Sequence, residues 1–270
     1  MTVRRRDLLI AGASLAAAPV LPARAVAAQT LRIGMTAADL PSTHGIPNNG
    51  FEGYRFLGYP PYDGLVNWNL RDNLGKPAEI TPGLFTEWRS DTTNPSRWAF
   101  TVRPGVKFHD GSDFTVDSVI WNLRRIYDDK SPQYDATAAP IVRAAVSMVA
   151  AFEKADDNTV VMTTKYPFSF LPYLLTRVLM VSPAQYDAVG RNWAEFQKKP
   201  SGTGPFKITR VVPGQYCEMA RNDAFGTRRA SRSSTSSSSI RCRNRPRAWR
   251  RCDPARWIGS RCRHPMPFRP

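Results

Sequence analysis

The most constrained part of the chain runs from Trp98 to Val119, where a strand, two tight turns and a helix start follow one another without a break. Trp98, Phe100 and Val102 alternate with Ala99, Thr101 and Arg103, the period-2 pattern of a strand with one buried face. Pro104-Gly105 is a turn dipeptide, and Val106 and Phe108 resume the alternation as a returning strand. Asp110-Gly111 turns the chain again. Thr115 then stands where a helix N-cap belongs, and Asp117 places a negative charge in the first turn, where the helix dipole favours it. Val116, Val119, Ile120, Leu123, Ile126 and Tyr127 follow at helical spacing and give one apolar face. Arg124, Arg125 and Lys130 fall near the far end, where cations are favoured. By pattern alone this is a β-hairpin feeding an amphipathic helix.

Net charge misleads if taken whole. The value of +16 would ordinarily point to nucleic acid or a membrane surface. Residues 227–270, however, hold thirteen Arg against the single acid Asp253, which accounts for +12 of it. Arg4, Arg5, Arg6 and Arg24 against Asp7 add +3 at the N-terminus, so residues 28–226 are close to neutral. That middle is long enough to bury a sizeable core in one or two domains. A nucleic-acid-binding protein would carry a basic face within the folded part, and none is concentrated there.

Residues 1–27 read as an export signal. Consecutive arginines precede a mostly apolar, small-residue run from Leu8 to Leu21, and Ala25-Val26-Ala27 offers an A-x-A cleavage site. The arginines ahead of a moderately hydrophobic segment resemble a twin-arginine signal; an arginine-rich Sec signal is the alternative. The apolar run is shorter than the roughly 20 residues that span a bilayer, and Pro19 and Pro22 interrupt it.

In the body, Leu31–Met35 reads as a first strand and residues 36–50 as a loop rich in turn formers. Phe51 to Leu65 reads as a helix start interrupted at Tyr59-Pro60-Pro61. Ala145–Glu153 and Thr159–Thr164 are strand-like runs around Asp156-Asp157-Asn158. Phe170–Leu179 is a mostly apolar helix, and Ser182-Pro183 starts another with Ser at the N-cap and Pro at N1. Gly202-Thr203-Gly204 invites a phosphate-loop reading, but no further Gly, no Lys-Ser/Thr pair and no helix follow. Phe206–Val212 and Gln215–Arg221 form a hairpin across Pro213-Gly214. A secreted hydrolase would need a nucleophile elbow, paired carboxylates or a His-rich metal motif. Only His44, His109 and His264 occur, and Gly-x-Ser-x-Gly is absent. No cofactor or metal is expected.

The residue identities go further than the pattern. Val102-Arg103 followed by Gly105-Val106-Lys107-Phe108-His109-Asp110-Gly111 and a Thr115-led helix closely resembles the signature of family-5 extracellular solute-binding proteins, which serve ABC importers. Ser118 stands where that family has Asp, leaving Asp117 to take over its capping role. Tyr62-Asp63-Gly64-Leu65 is similar to the family's Tyr-Glu-Gly-Leu, Leu84–Trp88 to its Leu-Ala-Glu-Ser-Trp, and Gly202-Thr203-Gly204-Pro205-Phe206 to its Gly-Thr-Gly-Pro turn feeding a strand. Arg221-Asn222-Asp223-Ala224-Phe225 matches the element that normally precedes Trp-Gly.

The resemblance implies an α/β (mixed α+β) fold of the periplasmic-binding-protein type II class, first lobe only, with the second lobe missing. It implies a monomeric, non-enzymatic receptor in the periplasm that captures a peptide or related small solute for an ABC permease, with no nucleic acid involved. In the family the loop leaving the first strand runs past the ligand cleft, which makes Thr36, Asp39, His44, Asn48, Glu52 and Arg55 the candidate binding residues. The expected division is an export signal at 1–27, a partial family-5 domain at 28–226 and a tail at 227–270. That tail lacks Leu, Val, Glu, Tyr and Lys altogether. Cys242, Cys252 and Cys262 lie there at spacings of ten, without the paired geometry of a zinc site, and a disulfide framework would need a fold that nothing else in the tail supplies. Its Arg, Ser, Pro and Cys content is what GC-rich codons yield when read out of frame. A frameshift near codon 226 and a disordered tail are the expectation.

Overall fold

A computed structural model describes residues 29–35, 53–69, 79–212, 214–225 and 238–244. The chain enters on strand β1 (Gln29–Met35), and a wide five-residue helical turn follows at Tyr54–Gly58. Strands β2 (Val66–Trp68) and β3 (Ile80–Pro82) form a small antiparallel pair. Next come β4 (Phe85–Ser90), β5 (Arg97–Val102), helix α1 (Val116–Tyr127), helix α2 (Ala139–Ala145), β6 (Val149–Lys154) and β7 (Thr159–Thr164). Three short helices, α3 (Leu171–Leu174), α4 (Pro183–Ala188) and α5 (Trp193–Phe196), lead to β8 (Phe206–Val212) and β9 (Tyr216–Arg221). The last described strand is β10 (Ser238–Asn244).

Strands β4-β5-β7-β6 make one antiparallel sheet, with the chain order broken only where β7 rather than β6 pairs with β5. The alternation at Trp98–Val102 does what it predicts. Phe100 is fully buried and stacks on Phe85 at 4.9 Å, while Arg97 on the other face is exposed. Helix α1 lays Val116, Val119, Leu123 and Ile126 onto this sheet, and together they form the main core.

The returning strand expected at Val106–Phe108 is not formed. The partners of β5 are β4 and β7, and the 106–108 segment spends its backbone elsewhere. Phe108 N–H bonds to Ser112 O, His109 N–H bonds to Gly202 O, and the Phe108 ring meets Phe114 edge-on at 5.7 Å. The segment is a bridge to a distant loop, and periodicity over three residues cannot distinguish that from a strand.

The helix cap also differs in its second member. Thr115 is the N-cap as expected, but Ser118 completes a reciprocal capping box with it. Asp117 instead points outward and pairs with Lys154 Nζ at 3.0 Å. Arg124 is exposed near the helix end, whereas Arg125 is fully buried, its guanidinium 5.3 Å from the Trp193 ring centre and 4.0 Å from Asp135. Ser118, Asn122 and Arg125 form a second buried stripe at i, i+4, i+7, because α1 is covered on two sides. Asn122 closes that side by bonding both the carbonyl and the N–H of Val181.

Two boundaries move. The run from Ala145 to Glu153 is not one strand: Ala139–Ala145 is helical, with Pro140 in its first turn, and β6 begins at Val149. The helix expected over Phe170–Leu179 stops early. One α-turn passes into a 3₁₀ turn at Leu175–Arg177, and the chain is extended by Val178, which lets Val181 reach Asn122.

The second sheet has the order β1-β10-β9-β8. Its β8–β9 hairpin is as expected from sequence. Between β1 and β9 lies β10, parallel to β1 and antiparallel to β9. Ser238–Asn244 lies within the tail for which the sequence suggests disorder, and here it is an extended strand. A seven-residue extended segment there gives hydrogen-bond partners to strands on both sides, which outweighs its poor apolar content. The rest of the tail lies outside the described residues.

Candidate functional site

Of the six candidate binding residues, Thr36, Asp39, His44, Asn48 and Glu52 lie outside the described residues. Arg55 is described: it sits exposed on the Tyr54–Gly58 turn. The same turn buries Leu57 against Cys217 and Met219 of β9. Arg55 is thus presented to solvent from a turn anchored on the second sheet.

A polar constellation lies beside that turn, where three motifs meet. Tyr62, fully buried, comes from the Pro-Pro-Tyr-Asp-Gly-Leu run; Ser201 to Phe206 supplies the Gly-x-Gly turn; His109 and Asp110 come from the stretch after β5. Gly204 N–H donates to Pro61 O at 3.1 Å, and Phe206 N–H to Pro60 O at 2.9 Å. A Cβ at Gly202 would fall 2.3 Å from Pro61 O, and one at Gly204 2.5 Å from Pro60 O. The two glycines exist for close backbone approach. Their N–H groups and carbonyls are engaged inside the joint, so they form no phosphate cradle.

The His109 ring is held at both nitrogens, with Nε2 2.9 Å from Gly204 O and Nδ1 3.4 Å from Gly202 N. That fits the tautomer in which Nε2 carries the proton. Burial pushes its pKa down; the Gly204 carbonyl pulls the other way, Lys207 pushes further down, and Asp110 opposes it. A ring committed at both ends to backbone has no edge left for acid–base work. Asp110 accepts from Ser112 and Ser201 hydroxyls at 2.5 and 2.8 Å. Burial alone would raise its carboxyl, but the bonds from Ser112, Ser182 and Ser201 win and hold it below the usual carboxylate range. The Asp63 carboxyl is pushed up by burial, against bonds from Asn67 and Gly64 and the nearby charge of Arg103.

This arrangement fixes geometry. It ties the end of β5, the entry to β8 and the 60–65 segment into one joint beside the turn that carries Arg55. Sequence reading found the motifs but not that His109 reaches Gly204. A His directly after a buried Phe and before an Asp-Gly turn is the only local signal, and its partner is 95 residues away.

On the outer face of the first sheet is a shallow groove of about 340 Å³, where Arg89, Asp91, Thr92 and Arg97 surround Ala99 and Val161. Arg97 is already paired with Glu153 at 2.8 Å, and Asp91 accepts from Thr93 and Asn94, so the groove concentrates no net charge. Among the described residues no group of three metal-capable side chains occurs, and no helix is long and apolar enough to cross a membrane.

A helix-covered sheet and a second sheet built from distant parts of the chain, locked by a Gly-Thr-Gly-Pro-Phe joint, define the class: the mixed α/β fold of substrate-binding proteins. The chain belongs to the bacterial extracellular solute-binding proteins, family 5 Middle, which residues 79–234 match. The structure is similar to the murein tripeptide binding protein MppA of Escherichia coli, with a TM-score of 0.63 and 18% identity over 81% of this chain and 42% of that one. It is also similar to AgaA of A. tumefaciens R10, seen in complex with agropinic acid, with a TM-score of 0.62 and 22% identity over 80% of this chain and 40% of that one. By sequence it resembles the HTH-type transcriptional regulator SgrR of Salmonella typhi, 30% identical over 152 residues, 56% of this chain and 24% of that protein. The chain thus spans about a quarter of that regulator and two fifths of the solved structures, the extent of one lobe.

Proposed function

We propose that the chain is the first-lobe part of a periplasmic receptor that captures a peptide or related small solute and delivers it to an ABC permease. The observation that carries this is the family-5 match over residues 79–234, together with a fold shared with solute receptors. Residues 1–27 supply the export signal, and the loop after β1, with Arg55 at its far end, supplies this lobe's share of the solute contacts. Thr36, Asp39, His44, Asn48 and Glu52 are the further candidates on that path. Pockets between lobes draw contacts from both sides, and closure over the ligand is what makes capture tight. A chain whose family match ends at residue 234 and supplies one lobe only therefore binds weakly, and the Arg- and Ser-rich tail is read as an out-of-frame continuation.

The test has two stages. Sequencing the DNA across codon 226 should reveal a one-base correction that restores Trp-Gly and a Leu-rich frame. Calorimetry on the restored chain against di- to pentapeptides and nickel should then give micromolar or tighter binding, with weak or no binding by the present chain. No continuation of the family in either alternative frame removes the frameshift. No binding by any complete chain of this sequence removes the receptor.

The resemblance to SgrR supports one other reading, a solute-sensing part of a regulator. It predicts steeply salt-dependent DNA binding by the protein to which this segment belongs, which a filter-binding titration would detect.

A further inference from the structure

The helical segment that follows β7 keeps one side in the core and turns the other outward. Leu171, Leu175 and Val178 are buried, whereas Phe170, Tyr173 and Arg177, at i, i+3 and i+7, stand on the opposite side. Phe170 stacks on Tyr173 with ring centres 4.4 Å apart and planes 9° from parallel, yet it leaves 52% of its surface in solvent. Trp68 of β2 extends this row, its ring centre 6.0 Å from that of Tyr173. Among the described residues none of these three rings is part of a hydrophobic core. Strand β2 also packs against the 3₁₀ turn that ends in Arg177, so the rings and the cation share one surface. Arg177 is exposed, and its charge is felt at Tyr59, whose phenol burial pushes up in pKa and the guanidinium pulls back. Tyr59 directly follows the turn that carries Arg55. An aromatic wall thus runs into a positive charge, beside the turn already named for solute contacts.

We propose that this wall binds a small solute whose carboxylate is joined by a short link to an aromatic group, the ring lying on Phe170, Tyr173 and Trp68 and the carboxylate pairing with Arg177. Aromatic faces take a further ring in offset stacking, and the half of Phe170 that faces solvent is open to one. A guanidinium presents a planar fork of N–H donors that matches a carboxylate. Residues one helical turn apart, as Tyr173 and Arg177 are, stand about 5–6 Å apart at Cβ, which suits a ring and a carboxylate separated by a short aliphatic link. Rings alone would accept any apolar group, and a cation alone any anion. Together they select a molecule that carries both, such as a peptide ending in an aromatic residue. The biological role of the wall rests on the receptor reading above and narrows its solute to aromatic carboxylates.

Hydrocinnamate is the probe. Its primary amide keeps the ring and removes the charge, and propionate keeps the charge and removes the ring. Saturation transfer from the full chain to each compound is followed by NMR in titrations. The expected result is transfer to the ring protons of the acid, with the amide binding about fivefold more weakly, the size of one partly exposed charge-assisted pair. Propionate should receive no transfer, and added salt should weaken the acid while leaving the amide unchanged. Arg177→Gln should bring the acid down to the level of the amide, and Phe170→Ser should weaken both. Both side chains are exposed, and the comparison of acid with amide on the unaltered chain decides the matter even if a variant fails to fold. Equal binding of acid and amide overturns the proposal, as does no transfer to either, or a folded Arg177→Gln variant that still prefers the acid. A Phe170→Ser variant that turns an oligomer into a monomer on size exclusion without changing acid binding assigns the wall to a second copy of the chain, and overturns the proposal too. No peptide enters this readout. A complete chain that captures no peptide would remove the receptor reading and leave a positive result here standing, and a negative result here leaves that reading untouched.

Discussion

The two four-stranded sheets are built in opposite ways. Strands β4, β5, β6 and β7 all come from residues 85–164, and with α1 they enclose the large core around Phe85, Phe100, Val119, Leu123 and Met162. The β1-β10-β9-β8 sheet is assembled from residues 29–35, 206–221 and 238–244, and among the described residues its core has three fully buried members, Leu57, Cys217 and Met219. On its far strand Leu31 remains 57% exposed. Contiguous strands pay little loop entropy before their contacts form, whereas strands gathered from across the chain do so late and against a larger cost. The first sheet is thus expected to be the stable unit and the second to depend on it.

The largest effect should follow from Phe100→Ala. The ring is fully buried and stacked on Phe85, and its loss costs about 3–5 kcal/mol. Met219→Ala, in the small core, should fall at the low end of about 2–5 kcal/mol. Urea unfolding followed by tryptophan emission, with Trp98 in the first core, measures both. Hydrogen exchange should show Met219→Ala opening β1 and β10 while β5 and β7 stay protected. A single transition that both variants lower equally would break the comparison and make the two sheets one cooperative unit.

The joint between the sheets is the next place to press. In Gly202→Ala the new Cβ meets Pro61 O at 2.3 Å and the Tyr62 ring at 2.4 Å, and the oxygen belongs to backbone that cannot swing aside. The strain should cost about 1–3 kcal/mol. It should also separate the unfolding of the two sheets, because the displaced segment links them. A neutral Gly202→Ala would show that the close approach is not what holds the joint.

The same contrast explains what could be read from the chain. The alternation at Trp98–Val102, the Thr115 cap, the Ser182-Pro183 helix start and the β8–β9 hairpin are local signals, and each appears where the residues place it. Legibility failed where a partner lay far away. Val106–Phe108 was diverted by Gly202, Arg125 was buried by Trp193 and Asp135, and Ser238–Asn244 was taken up by β1 and β9. Composition could mark that tail as a poor core former, but an empty slot between two strands asks for backbone groups, which any extended segment supplies. For the candidate site the limit is sharper. Residues 36–50 carry no periodicity, so only resemblance pointed to Thr36, Asp39, His44 and Asn48, and Arg55 alone has a described position.

The smallest effect expected is the acid sensitivity of the joint, and it sharpens the comparison by touching neither core. His109 has its pKa pushed below the ordinary value of 6.5, chiefly by burial. The folded protein therefore prefers the neutral ring, while the unfolded chain takes up the proton at the ordinary value. Stability from this residue is complete above 6.5 and is lost as pH falls from there through the depressed folded value. Protonation would also set a second N–H, on Nδ1, against the Gly202 N–H at 3.4 Å. Asp110 is held below 3.8, so its own loss on acidification begins in a lower window and does not obscure the first. Urea midpoints taken between about pH 7.5 and about pH 5 should decline for the wild-type chain. In His109→Gln, whose amide can still donate to Gly204 O but does not titrate, the same limb should be flat. A His109→Gln variant with an unchanged acid limb would move the sensitivity to another group and leave the joint indifferent to pH.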